Sequence, residues 1–325
     1  VAKKNNYWGS KRVFITGASG FIGSHLVDSL VRLGADVRAL VHYNSRNDIG
    51  LLNQINPNML DSFEVVFGDI TDYNQMESEI KGSDIVFHLA ALIGIPYSYN
   101  APKSYINTNI LGSYNIFQSC LKNDVEKIVH TSTSEVYGTA QYTPIDENHP
   151  HENRNFYGAT KIAGEALIRA FHFKYNLEYL AYRFMNVYGP RQDYLGAYIA
   201  VIIKIIDRLH QNLPPIIFGD GSQGFDFVFV KDVCRSLVLG MESSLSDESY
   251  NISCRKQTTV LELCKTIIKL MDKKDIPIEF KEVNDNTLVN NRIGSTEKAK
   301  TELGFEAETP LEEGLMKVIE WKLNQ

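Results

Sequence analysis

Arg12-Val13-Phe14-Ile15-Thr16-Gly17-Ala18-Ser19-Gly20-Phe21-Ile22-Gly23 is the stretch on which the fold turns. A short apolar run ends at Thr16, glycines follow at three-residue spacing, and a helical pattern runs from Ile22 to Leu33. In such a strand-to-helix junction each glycine has its own task. Gly17 permits the tight turn, Gly20 lets backbone approach a pyrophosphate, and Gly23 lets the helix pack on the strand. The N–H groups of Phe21, Ile22 and Gly23, which open the helix, supply an anion site. A glycine-rich turn without ligand is the plain alternative, and the strand before the loop and the helix after it argue against that reading.

Outward from this junction the alternation repeats. Asp36 to Val41, Phe63 to Phe67 (closed by Gly68-Asp69), Ile85 to Ala90 and Lys127 to Ser132 read as strands between helical patterns. Short connections between them imply right-handed crossovers and a doubly wound parallel sheet, with ligands at the carboxyl ends of the strands. After about residue 180 the alternation fades. Longer polar connections span Gly189 to Gly196 and Gly219 to Gln223, and Ser243 to Ser249 reads as a surface loop. The expected organisation is a dinucleotide-binding domain over 1–180 that carries the catalytic residues. Residues 181–325 are expected to form mainly a substrate-binding lobe, interleaved with the sheet.

Composition excludes several classes. With 325 residues, 44% of them hydrophobic and 22% charged, the chain is an ordinary globular one rather than a disordered one. No apolar run approaches the roughly 20 residues of a membrane helix. Val1 to Arg12 is polar and basic with no apolar stretch behind it, so export is not expected and the cytoplasm is. A net charge of −6 without a Lys/Arg cluster argues against a nucleic-acid groove. Cysteines at 120, 234, 254 and 264 lack metal-site spacing, so no metal is expected, and Cys120 and Cys264 read as core thiols.

Tyr157-Gly158-Ala159-Thr160-Lys161 puts a phenol and an ammonium on one helix face. A phenol titrating at about 10 is a poor base at neutral pH, and a nearby ammonium lowers that value toward a working one. Alone, such a pair reads as an exposed helix pair; downstream of the glycine loop it reads as an acid–base site. Thr131-Ser132-Thr133-Ser134-Glu135-Val136-Tyr137-Gly138 ends a strand with hydroxyls and a carboxylate. The bland reading is a turn with capping hydroxyls. The chemical one lets Thr133 hydrogen-bond a substrate hydroxyl beside Tyr157, with Glu135 at the same edge.

The Gly-x-x-Gly-x-x-Gly spacing resembles that of the extended short-chain dehydrogenases/reductases, and the resemblance runs through almost the whole chain. It implies a Rossmann-type α/β fold with a smaller C-terminal lobe, a tightly bound and recycled NAD or NADP, and a nucleotide-activated sugar as substrate. Gly68-Asp69-Ile70 resembles the family's adenine contact, and His88-Leu89-Ala90-Ala91 the strand beside the nicotinamide ribose, which Lys161 would also hold. Asn109 matches the family's helix asparagine. NAD-selective members usually end the second strand in a carboxylate that binds the adenosine ribose. Leu40-Val41-His42-Tyr43-Asn44-Ser45-Arg46 has none. With Asn44 beside them, Ser45 or Arg46 could bind a 2′-phosphate, and NAD and NADP both stay open. A solvated Arg46 is the plain alternative.

Thr133-Ser134-Glu135 resembles the triplet of GDP-mannose 4,6-dehydratases. The segment through Pro144 and the run from His88 to Tyr99 resemble bacterial GDP-N-acetylglucosamine 4,6-dehydratases. UDP-glucuronate decarboxylases share the triplet, whereas dTDP-glucose dehydratases carry Asp where Ser134 stands. Asn155 to Lys161 and Arg183 to Gln192 resemble proteins called UDP-glucose 4-epimerases, in which the counterpart of Asn186 contacts the substrate's phosphates. Within Gly219 to Phe227 the usual arginine is replaced by Phe225, and Arg191 and Arg292 are the expected substitutes. The resemblance thus implies a catalytic set of Thr133, Ser134, Glu135, Tyr157 and Lys161 working through a 4-keto sugar. The expected reaction is 4,6-dehydration, with 4-epimerisation, decarboxylation and a non-catalytic dinucleotide-binding regulator as alternatives. An apolar stripe of Ala163, Ala166, Leu167, Ala170 and Phe171 suggests that the helices after Pro102 and Tyr157 pair across a homodimer.

Overall fold

The computed structural model describes residues 7–193, 200–282 and 292–325. The chain forms two compact units, one of residues 1–138, 151–183 and 234–250, the other of 139–150, 184–233 and 251–325. Two segments, 139–150 and 234–250, therefore cross the 1–180 and 181–325 division expected from the sequence.

In chain order the first unit contains β1 (Arg12–Thr16), α1 (Phe21–Leu33), β2 (Asp36–His42), β3 (Phe63–Gly68), α2 (Tyr73–Ile80) and β4 (Ile85–His88). After them come α3 (Ile95–Asn100), α4 (Pro102–Tyr105), a π-helical segment Ile106–Gly112, α5 (Ser113–Lys122), β5 (Lys127–Thr133), α6 (Phe156–Tyr175) and β6 (Tyr179–Phe184). The second unit follows with β7 (Asn186–Tyr188), α7 (Val201–His210), β8 (Ile216–Phe218) and β9 (Gly224–Phe229). Then α8 (Val230–Glu242) and β10 (Glu248–Ile252) return the chain to the first unit. The remaining elements are β11 (Gln257–Thr259), α9 (Val260–Leu270), β12 (Glu279–Lys281), α10 (Glu297–Leu303) and α11 (Leu311–Leu323).

The central sheet has seven strands in the order β10-β6-β5-β4-β1-β2-β3. Its register is parallel from β3 to β5, with Val13 beside both Val37 and Ile85, and Ile85 beside Lys127. Order reverses at β1 and β4, and at such a switch point the loops after the strands diverge and leave a crevice. The expected α/β fold is therefore present. Strand β4 stops at His88, two residues short of the predicted Ala90: the Leu89 N–H makes the last ladder bond, to the Thr16 carbonyl, and the Ala90 N–H turns instead to the Thr16 side chain, Oγ1. Helix α1 begins at Phe21, one residue early, after an extended Gly20, and it ends at Gly34 in the left-handed region, φ 91°. The Ser243–Ser249 loop is shorter than expected, since β10 starts at Glu248. Of the polar N-terminal stretch, residues 1–6 lie outside the described residues, as do 194–196 of the Gly189–Gly196 connection. Trp8 is buried, stacked near Phe87, and its Nε1 donates to Glu242.

One layer of the first unit's core packs α2, α5 and α6 on the sheet, with Phe14, Val86, Ile128, Phe117, Ile168 and Phe171 in one cluster. Truncating a ring such as Phe117 to alanine costs roughly 3–5 kcal/mol at a site this closed. Phe171 must be struck from the expected surface stripe, because it is 6% exposed and packs edge-on against Phe117. Ala166 and Ala170 are exposed, and Ala163 and Leu167 are half-buried. Cys120 and Cys264 are fully buried, and burial pushes the Cys264 thiol up to about 11 and Cys120 higher still.

The second unit has a three-stranded sheet, β11-β9-β7, and a two-stranded one, β12-β8. Five aliphatics of α7 (Ile202, Ile203, Ile205, Ile206 and Leu209) form a cluster with side chains of α9 and α11. Helix α9 is opened by a capping box in which Thr259 and Glu262 satisfy each other's backbone N–H groups. Among the described residues no helix is long and apolar enough to cross a membrane.

Candidate active site

Steric closure explains the glycine loop. A Cβ on Gly23 would lie 2.1 Å from the Gly17 carbonyl oxygen and 2.8 Å from Ala18 Cα, backbone atoms that cannot swing away. Gly17 sits at φ 69°, and a Cβ there would meet the Ala90 nitrogen at 2.8 Å. Gly20 faces more open space, where an added Cβ meets only the Gly17 oxygen at 3.2 Å. No side chain caps the start of α1. A backbone cradle, closed on two sides and uncapped at a helix start, fits the pyrophosphate of a dinucleotide.

Beside the cradle a hydrogen-bonded chain ties the end of β4 to β1 and to the π-helical segment. Ser113 Oγ donates to the Asn109 carbonyl at 2.7 Å, so His88 Nε2, 2.9 Å from Ser113 Oγ, carries the ring proton and donates to it. His88 Nδ1 then accepts from Thr16 Oγ1 at 2.8 Å, and the same Oγ1 accepts from the Ala90 N–H. Burial, with Lys161 nearby, pushes His88 down to about 3, so the ring stays neutral. Asn109 is fully used: its amide pairs with both backbone groups of Leu92 and donates to Thr160 Oγ1 at 3.0 Å. It lies in the π-helical segment, a distortion common at functional sites.

After β3, Asp69 accepts from the Thr71 N–H and hydroxyl, each at 2.8 Å, and lies 3.4 Å from His42 Nε2. Although burial opposes it, these bonds hold the carboxyl below its ordinary value. Ile70 is 5% exposed, while Leu89, Ala90 and Ala91 are half-buried along the loop. After β2, Asn44 Oδ1 accepts from the N–H groups of Arg46 and Asp48, folding a turn that leaves Ser45 and Arg46 exposed.

The strand-end segment meets α6 at Asn155. That residue caps the helix by accepting from the Gly158 N–H at 2.7 Å, and its Nδ2 donates to Glu135 Oε2 at 3.0 Å. A single side chain therefore fixes both Glu135 and the turn that carries Tyr157. Gly158 is needed for the approach, since a Cβ there would lie 2.8 Å from the Glu135 carbonyl oxygen. Thr133 Oγ1 accepts from the Glu135 N–H at 3.2 Å. Thr133 and Ser134 are buried, and Glu135 and Tyr157 are half-buried. Lys161, one turn on, is 2% exposed, and burial pulls it down to about 8 against the opposing pull of Glu165. The sequence reading missed Asn155 as an anchor, though its place immediately before the helical pattern is the usual N-cap signal.

In the second unit Asn186 begins β7, and its Nδ2 is buried without a hydrogen-bond partner. Arg292 is 5% exposed and forms a bridge with Phe225, its N–H donating to the Gly224 carbonyl at 3.3 Å. The arginine thus stands beside the strand position from which the expected one is missing. Arg191 adopts a left-handed backbone, φ 65°.

A switch-point crevice, a glycine cradle on a helix start and a Tyr–Lys pair beside a hydroxyl-rich strand end define an extended short-chain dehydrogenase/reductase. Residues 14–318 match the family model described as GDP-mannose 4,6 dehydratase, and the chain belongs to that family of nucleotide-sugar epimerases and dehydratases. A Methanocaldococcus jannaschii protein provisionally named as a UDP-glucose 4-epimerase is 36% identical over 96% of this chain and 98% of its own length. The UDP-N-acetylglucosamine 4-epimerase of Methanobrevibacter ruminantium M1, solved with UDP-N-acetylmuramic acid, superposes with a TM-score of 0.90 at 31% identity, covering 97% and 99% of the two chains. DesIV of Streptomyces venezuelae, a dTDP-glucose 4,6-dehydratase solved with NAD, gives 0.84 at 25% identity, covering 97% of each chain.

Proposed function

We propose that this protein is a nucleotide-hexose 4,6-dehydratase that keeps and recycles its nicotinamide dinucleotide. The observation that carries the reading is Glu135, a carboxylate held by Asn155 at the start of the helix that bears Tyr157. The cradle formed by Gly17, Gly20 and Gly23 would hold the dinucleotide, with Phe21 and Ile22 at the helix start, Asp69 and Ile70 at the adenine, and Leu89, Ala90, Ala91 and Lys161 at the nicotinamide ribose. Asn44, Ser45 and Arg46 would line the adenosine ribose. When bound, the nicotinamide supplies a hydride acceptor and later a donor. Tyr157 takes the proton from the sugar's O4 while Thr133 and Ser134 hold the hydroxyl, and a C4 ketone results. The ketone acidifies the C5 hydrogen, and Glu135 removes it and passes the proton to the departing C6 hydroxyl, which leaves as water. The hydride would then be returned at C6 while a solvent proton adds at C5 and Tyr157 releases the O4 proton, giving a 4-keto-6-deoxy sugar without consuming an outside reductant. Asn186, Arg191 and Arg292 would bind the substrate diphosphate, with Arg292 replacing the charge lost at Phe225.

One observation favours 4-epimerisation instead: the two relatives described above at 36% and 31% identity bear epimerase names. In that case the ketone turns over in the site and Glu135 is only the partner of Asn155. Incubation with GDP-, UDP-, dTDP- and CDP-sugars followed by mass spectrometry separates the outcomes. The dehydratase yields a product lighter by one water, the epimerase one of unchanged mass, and a uronic acid losing carbon dioxide indicates decarboxylation. Bound dinucleotide with no turnover of any sugar would revive the regulator.

As part of the same proposal, the protein works in the cytoplasm, supplies deoxysugars for glycan assembly and is a homodimer. The exposed Ala166 and Ala170 on α6 and Leu111, 52% exposed, support the pairing. A single species of monomer mass in sedimentation at micromolar concentration would contradict it.

A further inference from the structure

Behind the strand-end segment lies an ion pair for which the chemistry above has no use. Glu165 and Arg183 are 4% and 3% exposed. Arg183 donates to the carboxylate through Nε at 3.0 Å and Nη2 at 2.6 Å. Through Nη1 it donates to the Tyr137 hydroxyl at 2.9 Å, and its guanidinium lies over the Tyr137 ring, 5.2 Å from the centroid. Ser132 donates to Glu165 Oε1. Ser132 and Tyr137 bracket Thr133, Ser134 and Glu135, so both ends of the reacting segment are tied to one buried carboxylate. That carboxylate stands one helical turn past Lys161, on the same face of α6.

A buried ion pair contributes little net stability, because the cost of removing two charges from water offsets their attraction. Stability alone therefore gives no reason for burying this one, and its position does. Against Lys161 stand His88 on β4 and His130 on β5, both kept neutral, mainly by burial. Glu165 lies on the lysine's own helix; Arg183, Ser132 and His151 act on Glu165, and Tyr137 acts on Arg183.

We propose that Glu165 is a positioning residue of the reaction site: through Ser132 and Arg183 it fixes the 132–137 segment against α6, and it sets a negative charge one turn from Lys161. This rests on the reading of Tyr157 and Lys161 as the acid–base pair, yet its test needs no substrate. Burial opposes ionisation of Glu165, but Arg183 outweighs it and holds the carboxyl below its ordinary value. Glu165→Gln removes that charge and leaves the Arg183 cation uncompensated, so both changes favour a neutral Lys161.

The experiment is an NMR titration of the full chain labelled with carbon-13 at the lysine ε-position, with the Lys161 signal assigned by its loss in Lys161→Met. In the unaltered protein the expected midpoint is about 8. In Glu165→Gln it should fall by about one pH unit or more, a tenfold loss of proton affinity. Glu165→Asp should restore most of it. Should Glu165→Gln fail to fold, the double variant Glu165→Gln/Arg183→Met, which buries no charge, carries the test with a smaller fall. A folded Glu165→Gln, or the double variant in its place, with an unchanged Lys161 midpoint would overturn the proposal. Turnover of sugars plays no part in this readout, so a wrong reaction assignment and a wrong role for Glu165 give different results.

Discussion

On the proposed reading, the glycine cradle at 17–23 and the Asn186, Phe225 and Arg292 region of the second unit would meet the same physical demand, an anion, with different means. The cradle uses backbone. Its N–H groups are fixed by a turn so tight that a methyl group on Gly23 would overlap the Gly17 carbonyl oxygen. The second region would use side chains, and Phe225, at the position where an arginine is expected, stands beside Arg292 on a neighbouring backbone segment. Backbone recognition tolerates little change and serves a ligand that stays the same. Side-chain recognition shifts by single substitutions, which suits the part of the molecule proposed to choose the sugar nucleotide.

Several changes would break or sharpen that contrast. The largest effect is expected at the proposed acid–base residue. Tyr157→Phe deletes one hydroxyl, and turnover of the sugar identified in the panel should drop by about two to four decades with the melting temperature unchanged. Gly23→Ala should come next. Overpacking of about 1–3 kcal/mol should lower the melting temperature and weaken dinucleotide affinity by about tenfold or more in a fluorescence titration. Unchanged affinity would mean that the loop is not a backbone cradle. Arg292→Met should raise KM by roughly tenfold to a hundredfold with little change in kcat, the loss of one charged hydrogen bond made equally to bound substrate and transition state. A fall in kcat at constant KM would move Arg292 out of substrate binding.

The smallest effect is on pH dependence. On the proposed mechanism Lys161 acts in its protonated form, so kcat/KM should decline as pH rises through about 8. Its contribution to stability runs the other way. The unfolded value of 10.5 lies above the folded one, so between about 8 and 10.5 the unfolded chain binds more protons and stability rises with pH. Parallel profiles of rate and melting temperature over that range should therefore diverge in sign at this group.

The first unit was the more legible region. Strands β1, β2, β3 and β5 are apolar runs bounded by turn residues, and the glycine loop declares itself because its spacing answers local sterics. The reading failed where long-range contacts decide. Strand β4 ends early where the Thr16 side chain, 74 residues upstream, captures the Ala90 N–H. Strand β10 was hidden because its pairing with β6 is non-local and its sequence, Glu248-Ser249-Tyr250-Asn251-Ile252, is half polar. Phe171 looked like a member of a surface stripe, since spacing alone cannot tell which side of a helix meets the sheet. The Glu165 and Arg183 pair joins residues eighteen apart through tertiary packing, and local periodicity carries no trace of it.

The central claim is that Glu135 removes the proton from C5. Turnover of the identified sugar nucleotide in deuterated water, with the product analysed by mass spectrometry and NMR, addresses it most directly. The account predicts a product that has lost water and carries solvent deuterium at C5, and a Glu135→Gln variant in which this exchange and water loss fall by about two to four decades while oxidation at C4 survives. A product of unchanged mass, free of solvent deuterium and formed at the same rate by Glu135→Gln, would contradict it and assign the protein to 4-epimerisation.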